Sequence, residues 1–344
     1  MYFIFTQNIK LFRKDLYAAS VIIFFHFIGI VYWREFKLIY FPIYFWISWL
    51  IATNLSKKTL ELYIDFATKF CMVLLIGALL GFIYTFFGGQ SLFSIKNEDT
   101  RLNEFFLTTF SNTHILNIIR PAGIYDEPGA LSLVVCLVVA GRKFLNKSNK
   151  TSWVLLLFGF ITLSLAHFIF VFFFLIQDIK KYNFKSILVF FSVSIIVFAL
   201  IYFTFLKEVF DIFFFSRFKF ENGQMAGDNR SALIKNAYNY LSIKTFFFGL
   251  DVDCIVRPEI CFQKGYDQFG DNPLGPLIWG GITLTLPYYM ISIIVFVKGI
   301  IKFNLIYIGI FLLLMQRIDV MSYGYALLIA IILSIAFNSS RNYA

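Results

Sequence analysis

Residues that could do chemistry are concentrated in the stretch RPAGIYDEPGALS, residues 120–132. It begins with Arg120, and Asp126 and Glu127 directly precede Pro128, where an apolar segment starts. Proline at a first helical position and acids near a positive helix end are favourable local chemistry, so one interpretation is a capped helix. The other is a site, because a guanidinium binds phosphate with two parallel hydrogen bonds and a carboxylate can act as a base.

Residues of the same types recur further along the chain. Arg217 and Arg230 are candidate phosphate ligands, and Asp271, which begins an apolar segment as Glu127 does, is a second candidate base. Tyr125 and Asn272 are candidate sugar contacts. Aromatic residues at membrane interfaces are, however, also common for other reasons. Each arginine alone also fits a headgroup anchor or a loop salt bridge, so the prediction depends on the set.

The composition predicts the kind of scaffold that must position these groups. Of 344 residues, 59% are hydrophobic, 47 are phenylalanine and 15% are charged, and the mean hydropathy is +0.77. No soluble domain of this length buries that much apolar surface. We therefore predict an all-α polytopic membrane protein that forms a single domain over residues 1–344.

The charge and the missing motifs narrow the function classes. The net charge is +10, but the basic residues lie between apolar runs, which indicates membrane topology and not nucleic-acid binding. No phosphate-binding loop is present, which argues against an ATP-driven pump. The three histidines are scattered and show no metal-ligand spacing.

Ten apolar segments are predicted to cross the membrane, with both termini inside. The run 153–177 is divided in two at Thr162-Leu163-Ser164, because the basic clusters on its two flanks then fall on the same side. Short inside loops then carry about fifteen Lys and Arg and the short outside loops about three, as the positive-inside rule expects. The segments are about 16–32, 38–53, 59–87, 128–140, the two halves of 153–177, 187–205, 273–297, 303–314 and 323–337.

Two long polar loops, about 88–127 and 207–272, then face the outer compartment. Arg120, Arg217, Arg230 and Arg317 all lie on this side, where the positive-inside rule alone would not place them. In the second loop, the apolar residues of SALIKNAYNYLSI predict a helix that lies against the bilayer surface or the protein, with one face formed by Leu233, Ala237, Tyr240 and Leu241.

Two short patterns in the second loop leave their interpretation open. Cys254 and Cys261 are close enough in sequence for a disulfide if the loop is in an oxidising compartment, but spacing alone does not show the geometry. Asp251 and Asp253 form a D-x-D pair like that of metal-dependent nucleotide-sugar glycosyltransferases. Three residues are a weak signal, and no nucleotide-sugar domain surrounds them.

Three parts of the sequence resemble the O-antigen polymerase and ligase superfamily. RPAGIYDEPGALS at 120–132 is the most specific, and Thr162-Leu163-Ser164 is similar to the family's T-x-S turn. The run from Arg230 to Phe248-Gly249-Leu250 is similar to its R-x-x-x run that ends in F-G-x-G, although Leu250-Asp251 replaces the second glycine. Asp271-Asn272 stands where ligase-like members often carry His-Asn, which favours a polymerase over a ligase.

The resemblance implies an inverting glycosyltransferase with a GT-C-like helical fold. It would polymerise undecaprenyl-diphosphate-linked repeat units of O-antigen or a related surface polysaccharide at the periplasmic face of the bacterial inner membrane, without metal or nucleotide. By matching positions, Arg120 and Arg230 would contact the diphosphate with support from Arg217. Glu127 would orient Arg120 or act as base, with Asp271 as the alternative base. Besides lipid-linked glycans and membrane lipids, the family implies a chain-length regulator protein as a partner.

Rival functions remain open at this point. A ligase would pass the same glycan to the lipid A core, whereas a flippase for the same lipid-linked sugars belongs to a different class. A flippase should carry charges inside its spans, and here the predicted spans are nearly uncharged, with Lys69 the clearest exception. A structural partner of an export complex would tolerate exchange of its loop arginines for lysine.

Overall fold

The structure is a computed structural model that describes residues 13–96, 102–115, 118–179, 211, 220–221, 224–225, 229–251, 253, 264–266, 272–316 and 323–338. Within these ranges the chain is mostly helical. Its α-helices are α1 (Arg13–Trp33), α2 (Tyr40–Asn54), α3 (Lys57–Phe86), α4 (Pro128–Phe144), α5 (Asn149–Gly159), α6 (Leu165–Ile179), α7 (Asn229–Asn239), α8 (Ile243–Phe248), α9 (Gly275–Ile301), α10 (Leu305–Gln316) and α11 (Tyr323–Asn338). Every predicted apolar segment is helical except 187–205, which lies outside the described residues.

Two of the described helices, α3 and α9, are long and apolar enough to cross a membrane. Four further apolar helical stretches in the described ranges are shorter than the roughly 20 residues that a full crossing needs: Ser20–Trp33, Leu165–Asp178, Leu305–Met315 and Leu327–Ala336. The ten crossings expected from the sequence therefore stay a prediction.

Helix α4 lies at the centre of a group of helices that also contains α3, α5, α6, α10 and α11. It packs against each of them, and nearly all of its residues from Ala130 to Phe144 are buried. A helix that is apolar on all sides is a core helix and does not present one face to a solvent. Around it, α2 packs along α11 and α6 packs along α10.

One end of the helix group is fixed by a buried arginine. The Arg142 guanidinium donates to Ser152 Oγ of α5 at 3.2 Å, to Thr68 Oγ1 of α3 at 3.1 Å and to the Ser148 carbonyl at 3.1 Å. Beside it, Lys143 forms an ion pair with the buried Asp178 of α6. A buried cation must be hydrogen-bonded. Because the partners of Arg142 and Lys143 come from neighbouring helices, these contacts fix α3, α4, α5 and α6 relative to one another at this end.

The polar segment 88–127 contains β-structure that the all-α prediction missed. Strands β1 (Phe93–Lys96), β2 (Leu102–Phe106) and β3 (Thr109–Ser111) form an antiparallel sheet in that order, and β4 (His114–Ile115) pairs with β5 (Ile118–Ile119). In the second polar loop, Phe220–Glu221 and Gln224–Met225 form a short hairpin, β6 and β7. The prediction was wrong here because short strands whose neighbours are distant in sequence leave little periodic signal.

This sheet lies against the C-terminal third of α3, not beyond its end. The hydroxyl of Thr108, in the turn between β2 and β3, donates to the Gly77 carbonyl at 2.6 Å. A Cβ on Gly81 would overlap with the methyl group of Thr109, so the absence of a side chain at that position allows the close approach.

Helix α9 is broken at Gly281, and α8 packs at the break. Gly281 has φ 64° and ψ 176°, and Gly249, which ends α8, has φ 79° and ψ 176°. This backbone region is essentially restricted to glycine. A Cβ on Gly249 would overlap with the Trp279 carbonyl, and one on Gly281 would overlap with the Phe247 carbonyl. The two glycines therefore allow α8 and α9 to cross with their backbones in contact.

Hydrogen bonds satisfy the backbone groups that the break exposes. The Leu250 amide donates to the Ile278 carbonyl at 2.7 Å, and the Thr283 hydroxyl donates to the Phe247 carbonyl at 2.9 Å. The Trp33 indole of α1 donates to the Phe248 carbonyl at 2.8 Å. These three hydrogen bonds thus join α1, α8 and α9, and none of them involves a charged group.

We expect Gly249→Ala to destabilise the fold by more than about 3 kcal/mol, because it adds backbone strain and a collision with a carbonyl group that cannot move alone. Gly88→Ala is the control, since Gly88 also has a positive φ, 86°, but has open space around it. It should cost only about 1 kcal/mol of backbone strain. The measurement is thermal unfolding in detergent, and equal losses for the two variants would contradict the crossing.

Candidate functional site

Arg120 is held by the strands of the first polar segment. Its backbone amide donates to the Thr113 carbonyl at 3.0 Å, and the Ser111 hydroxyl donates to the Arg120 carbonyl at 2.8 Å. Two residues further on, the Ala122 amide donates to the Phe110 carbonyl at 2.8 Å. The residues just after β5 are thereby placed along β3, which itself lies on α3.

The guanidinium of Arg120 binds the turn between α5 and α6. Nε and Nη2 donate to the Thr162 carbonyl at 3.2 and 3.1 Å, and Nη2 donates to the Leu163 carbonyl at 3.2 Å. Carbonyl groups at a helix end lack partners within the helix and carry partial negative charge, so a cation there is stabilising. Arg120 is half-buried and caps the end of α5 from 42 residues away in sequence.

The turn has a defined shape of its own. After α5, residues Phe160–Thr162 form a 3-10 helix, and Leu163 takes a left-handed conformation with φ 47°. The Thr162 hydroxyl donates to the Gly159 carbonyl at 2.8 Å, and the Ser164 carbonyl accepts from the His167 amide at 3.0 Å as α6 begins. The predicted division of 153–177 at this point is confirmed.

Glu127 is positioned at the start of α4 but does not cap it. Its backbone is extended, with φ −141° and ψ 147°, and its half-buried carboxylate makes no capping hydrogen bond to the first turn. Pro128 follows at the first helical position as predicted, and Asp126 is exposed. Tyr125 is half-buried and packs on the core around α4. Of the capped-helix interpretation, the proline start and the acid at the helix end are present, but Glu127 makes no side-chain capping hydrogen bond.

Asn272 has a structural contact that its interpretation as a sugar ligand did not foresee. It is buried, and its side-chain oxygen accepts from the Leu274 amide at 2.8 Å and the Gly275 amide at 3.0 Å. These bonds cap the start of α9, as asparagine commonly does. Its amide oxygen is thus committed to the helix end.

The predicted helix in the second polar loop is present as α7 and lies at the N-terminal end of α9. Ala237 is fully buried against Ile278, with Tyr240 and Trp279 packed around them. Leu241 was expected on this face but is exposed, because α7 ends at Asn239 and the chain turns before it. Arg230 lies in the first turn of α7.

Several candidate residues lie outside the described part of the chain: Arg217, Asp228, Asp271, Arg317, Cys254 and Cys261. The structure therefore does not test the roles of Arg217 and Asp271 or the proposed disulfide. The two cysteines that it describes, Cys71 and Cys136, are buried and free.

The D-x-D pair is bound to a lysine. Lys264 forms ion pairs with Asp251 and, at 3.4 Å, with Asp253. The hydrogen bond to Asp251 raises the pKa of Lys264. The ammonium group lies where a cation bound by both carboxylates would lie, and no group of three or more metal-ligating side chains occurs in the described ranges.

Sequence reasoning missed the residues that hold the arginine in place. Ser111 and Thr113 bind its backbone, and the carbonyl groups of Thr162 and Leu163 bind its side chain. Every residue has a backbone carbonyl group, so the residue types do not show which of these groups accept a hydrogen bond. The polar run Ser111-Asn112-Thr113 between apolar residues was the only available signal.

Comparison with known proteins adds no relative. No protein-family model, no curated protein and no solved structure matches the chain.

We expect Arg120→Lys to destabilise the protein by about 2 kcal/mol, because an ammonium cannot reproduce the fork that reaches two adjacent carbonyl groups. Arg34→Lys is the matched control: Arg34 is exposed in the turn after α1 and should tolerate the exchange with little loss. Thermal unfolding in detergent measures both. A melting temperature for Arg120→Lys equal to that of Arg34→Lys would contradict the capping role.

Proposed function

We propose that the protein is an inverting glycosyltransferase of the bacterial inner membrane that polymerises undecaprenyl-diphosphate-linked repeat units of O-antigen or a related surface polysaccharide. The observation that carries the proposal is the contact between Arg120 and the carbonyl groups of Thr162 and Leu163. These residues belong to two separate sequence patterns through which the chain resembles O-antigen polymerases. A shared site is the simplest reason for two such patterns to meet in space.

The membrane arrangement that goes with this function has ten crossings and an active site on the periplasmic side. The distribution of charge supports it. Arg142, Lys143 and Lys147 lie at one end of the group α3–α6, and Arg120 lies at the other end of α4 and α5. The cluster of cations at the first end fits the cytoplasmic side.

In this function Arg120 is a diphosphate ligand as well as a helix cap. Its Nε and Nη2 contact the turn, and in the proposal the same guanidinium also contacts a phosphate of the diphosphate. The start of α7 carries Arg230 toward the same outer end of the molecule, since α7 packs at the outer end of α9. Arg217 is the supporting cation of the proposal.

The carboxylate of Glu127 is the first choice for the base, with Asp271 as the alternative. The base accepts the proton of an acceptor hydroxyl, and the oxygen attacks the anomeric carbon of the donor sugar from the face opposite the diphosphate. The bond from that carbon to the diphosphate oxygen breaks, and undecaprenyl diphosphate leaves with the electron pair. Guanidinium groups stabilise the negative charge that the leaving group gains. Glu127 is the first choice because it is a half-buried carboxylate in the same sequence motif as Arg120, directly before α4.

The test is the lipopolysaccharide ladder of cells that lack the protein and are complemented with variants. We expect the deletion strain to show core plus one repeat, because one repeat can still be flipped and ligated without polymerisation. Wild type should restore the ladder, and Glu127→Gln should not, or Asp271→Asn should not if Asp271 is the base. Glu104→Gln, a half-buried glutamate of β2, is the control and should restore the ladder.

Two outcomes would overturn the proposal. Loss of even the single repeat in the deletion strain would indicate a ligase or a flippase. A full ladder from both Glu127→Gln and Asp271→Asn would remove the proposed base chemistry. The amount of each variant in the membrane is measured in parallel, so that a failure to fold is distinguished from a failure to act.

A further inference from the structure

A groove of about 420 Å³ lies between the end of α6, the end of α9 and the start of α10. It is lined by Ile176 and Gln177 of α6, by Ile300 and Phe303 near the end of α9, and by Ile308 of α10. Ile300 and Phe303 have exposed fractions of 51% and 89%, so the groove is open to the surroundings of the protein. Gln177 is the only polar side chain among the described residues of the lining. The volume of the groove is in the range of small-molecule sites, and its lining fits an apolar chain.

The turn between α9 and α10 gives this groove a fixed shape. Phe303 takes a left-handed conformation with φ 47°, and the Asn304 amide donates to the Gly299 carbonyl at 3.0 Å. The side-chain oxygen of Gln177 accepts from the Leu305 amide at 2.9 Å, which joins α6 to the start of α10. Hydrogen bonds within the protein therefore hold the three walls of the groove together before any ligand binds.

Positive charge lies beside the groove. Lys302 is exposed and directly precedes Phe303, and Lys298 lies in the last turn of α9. The carboxylate of α6, Asp178, does not offset these charges, because it is buried and paired with Lys143. The start of α10 adds the positive end of a helix dipole to the same turn. An anion beside the groove is therefore stabilised.

A polar donor lies in the lining itself. The side-chain oxygen of Gln177 accepts from the Leu305 amide, and the nitrogen of the same side chain carries two N–H groups. These groups can donate to a phosphate or ester oxygen at the edge of the groove. The exposed side chains of Ile300, Ile301 and Phe303 meanwhile present apolar surface whose removal from water is favourable. The groove thus offers an apolar wall and a cationic edge to the same ligand.

We propose that an anionic phospholipid of the surrounding bilayer binds in this groove. One acyl chain lies along Ile176, Ile300 and Ile308, and the phosphate accepts hydrogen bonds from Lys302 and Gln177. This class of ligand matches both features of the site. A soluble anion would leave the apolar wall exposed, and an uncharged lipid would leave Lys302 without a counter-charge.

The groove lies at the end of the helix group that carries Arg142 and Lys143, because Asp178, which follows Gln177, pairs with Lys143. In the proposed membrane arrangement this end is on the cytoplasmic side, where the leaflet contains anionic lipid. Arg120 lies at the other end of α4 and α5. The lipid site therefore goes beyond the proposed reaction and does not depend on it, so the lipopolysaccharide ladder and lipid binding can fail separately.

The experiment is native mass spectrometry of the full chain in detergent, titrated with phosphatidylglycerol or with phosphatidylcholine of the same acyl chains. Lys302→Gln removes a charge beside the groove, and Ile300→Trp fills the groove. Lys58→Gln and Ile294→Trp are the matched controls. Lys58 is exposed at the start of α3, and Ile294, with an exposed fraction of 42%, lies on another face of α9.

We expect the first phosphatidylglycerol molecule to bind the wild type about ten-fold more tightly than phosphatidylcholine does, since each lysine near anionic lipid contributes about five-fold. Lys302→Gln should weaken the binding of phosphatidylglycerol about five-fold and leave that of phosphatidylcholine unchanged. Ile300→Trp should weaken both lipids by about five-fold or more, because fewer methylene groups of the acyl chain are then buried. The two controls should bind both lipids as the wild type does.

Equal affinity of the wild type for the two lipids would overturn the proposal. An equal loss from Lys58→Gln and Lys302→Gln would overturn it too, because binding would then follow total charge alone. Unchanged binding by Ile300→Trp would exclude the groove as the site. If Ile300→Trp folds poorly, Phe303→Ala at an exposed position replaces it and should also weaken both lipids. A dimer that Ile300→Trp dissociates, without any lipid preference, would assign the groove to a second copy of the chain.

Discussion

A helix that ends among apolar helices must have its last carbonyl groups satisfied, and the rest of this structure depends on how that is done for α5. Arg120 supplies the donors from a different part of the chain. Because the cap comes from a side chain, α5 can stop short and reverse into α6 at Leu163. The sheet that carries Arg120 must then lie near this turn, which fits the packing of Thr108 and Thr109 against the C-terminal third of α3. The cap and the position of the polar segment are consequences of one requirement.

The break in α9 solves a similar problem by a different means. There the exposed backbone groups are paired with neutral partners, the Leu250 amide and the Thr283 hydroxyl, and closeness is achieved by glycines at 249 and 281. Both of these partners are uncharged. The contrast is informative, because a charged side chain is costly to bury and is used where carbonyl groups at a helix end attract it. A charged side chain thus satisfies the turn after α5 but not the break in α9. This difference is consistent with a second use for Arg120.

Much of the helical framework could be predicted from the sequence, because long apolar runs report helices in lipid directly. The break at Thr162–Ser164 was also predictable, since polar residues interrupt an apolar run there. The sheet in residues 88–127 was not, because strands such as Thr109–Ser111 are too short to show alternation. The sequence left Glu127 open between a helix cap and a site, because an acid before a proline looks the same whether or not its side chain turns back; its catalytic role stays a prediction. For Arg120 the residue type was predicted as important, but its partners are backbone atoms, which have no identity in a sequence.

The double use of Arg120 has a consequence for how the protein would change over generations. A descendant that no longer needed its chemistry would still need the cap on α5, so selection for stability would retain the arginine. Among relatives of this chain, the arginine would therefore mark the fold, whether or not the proposed chemistry is retained.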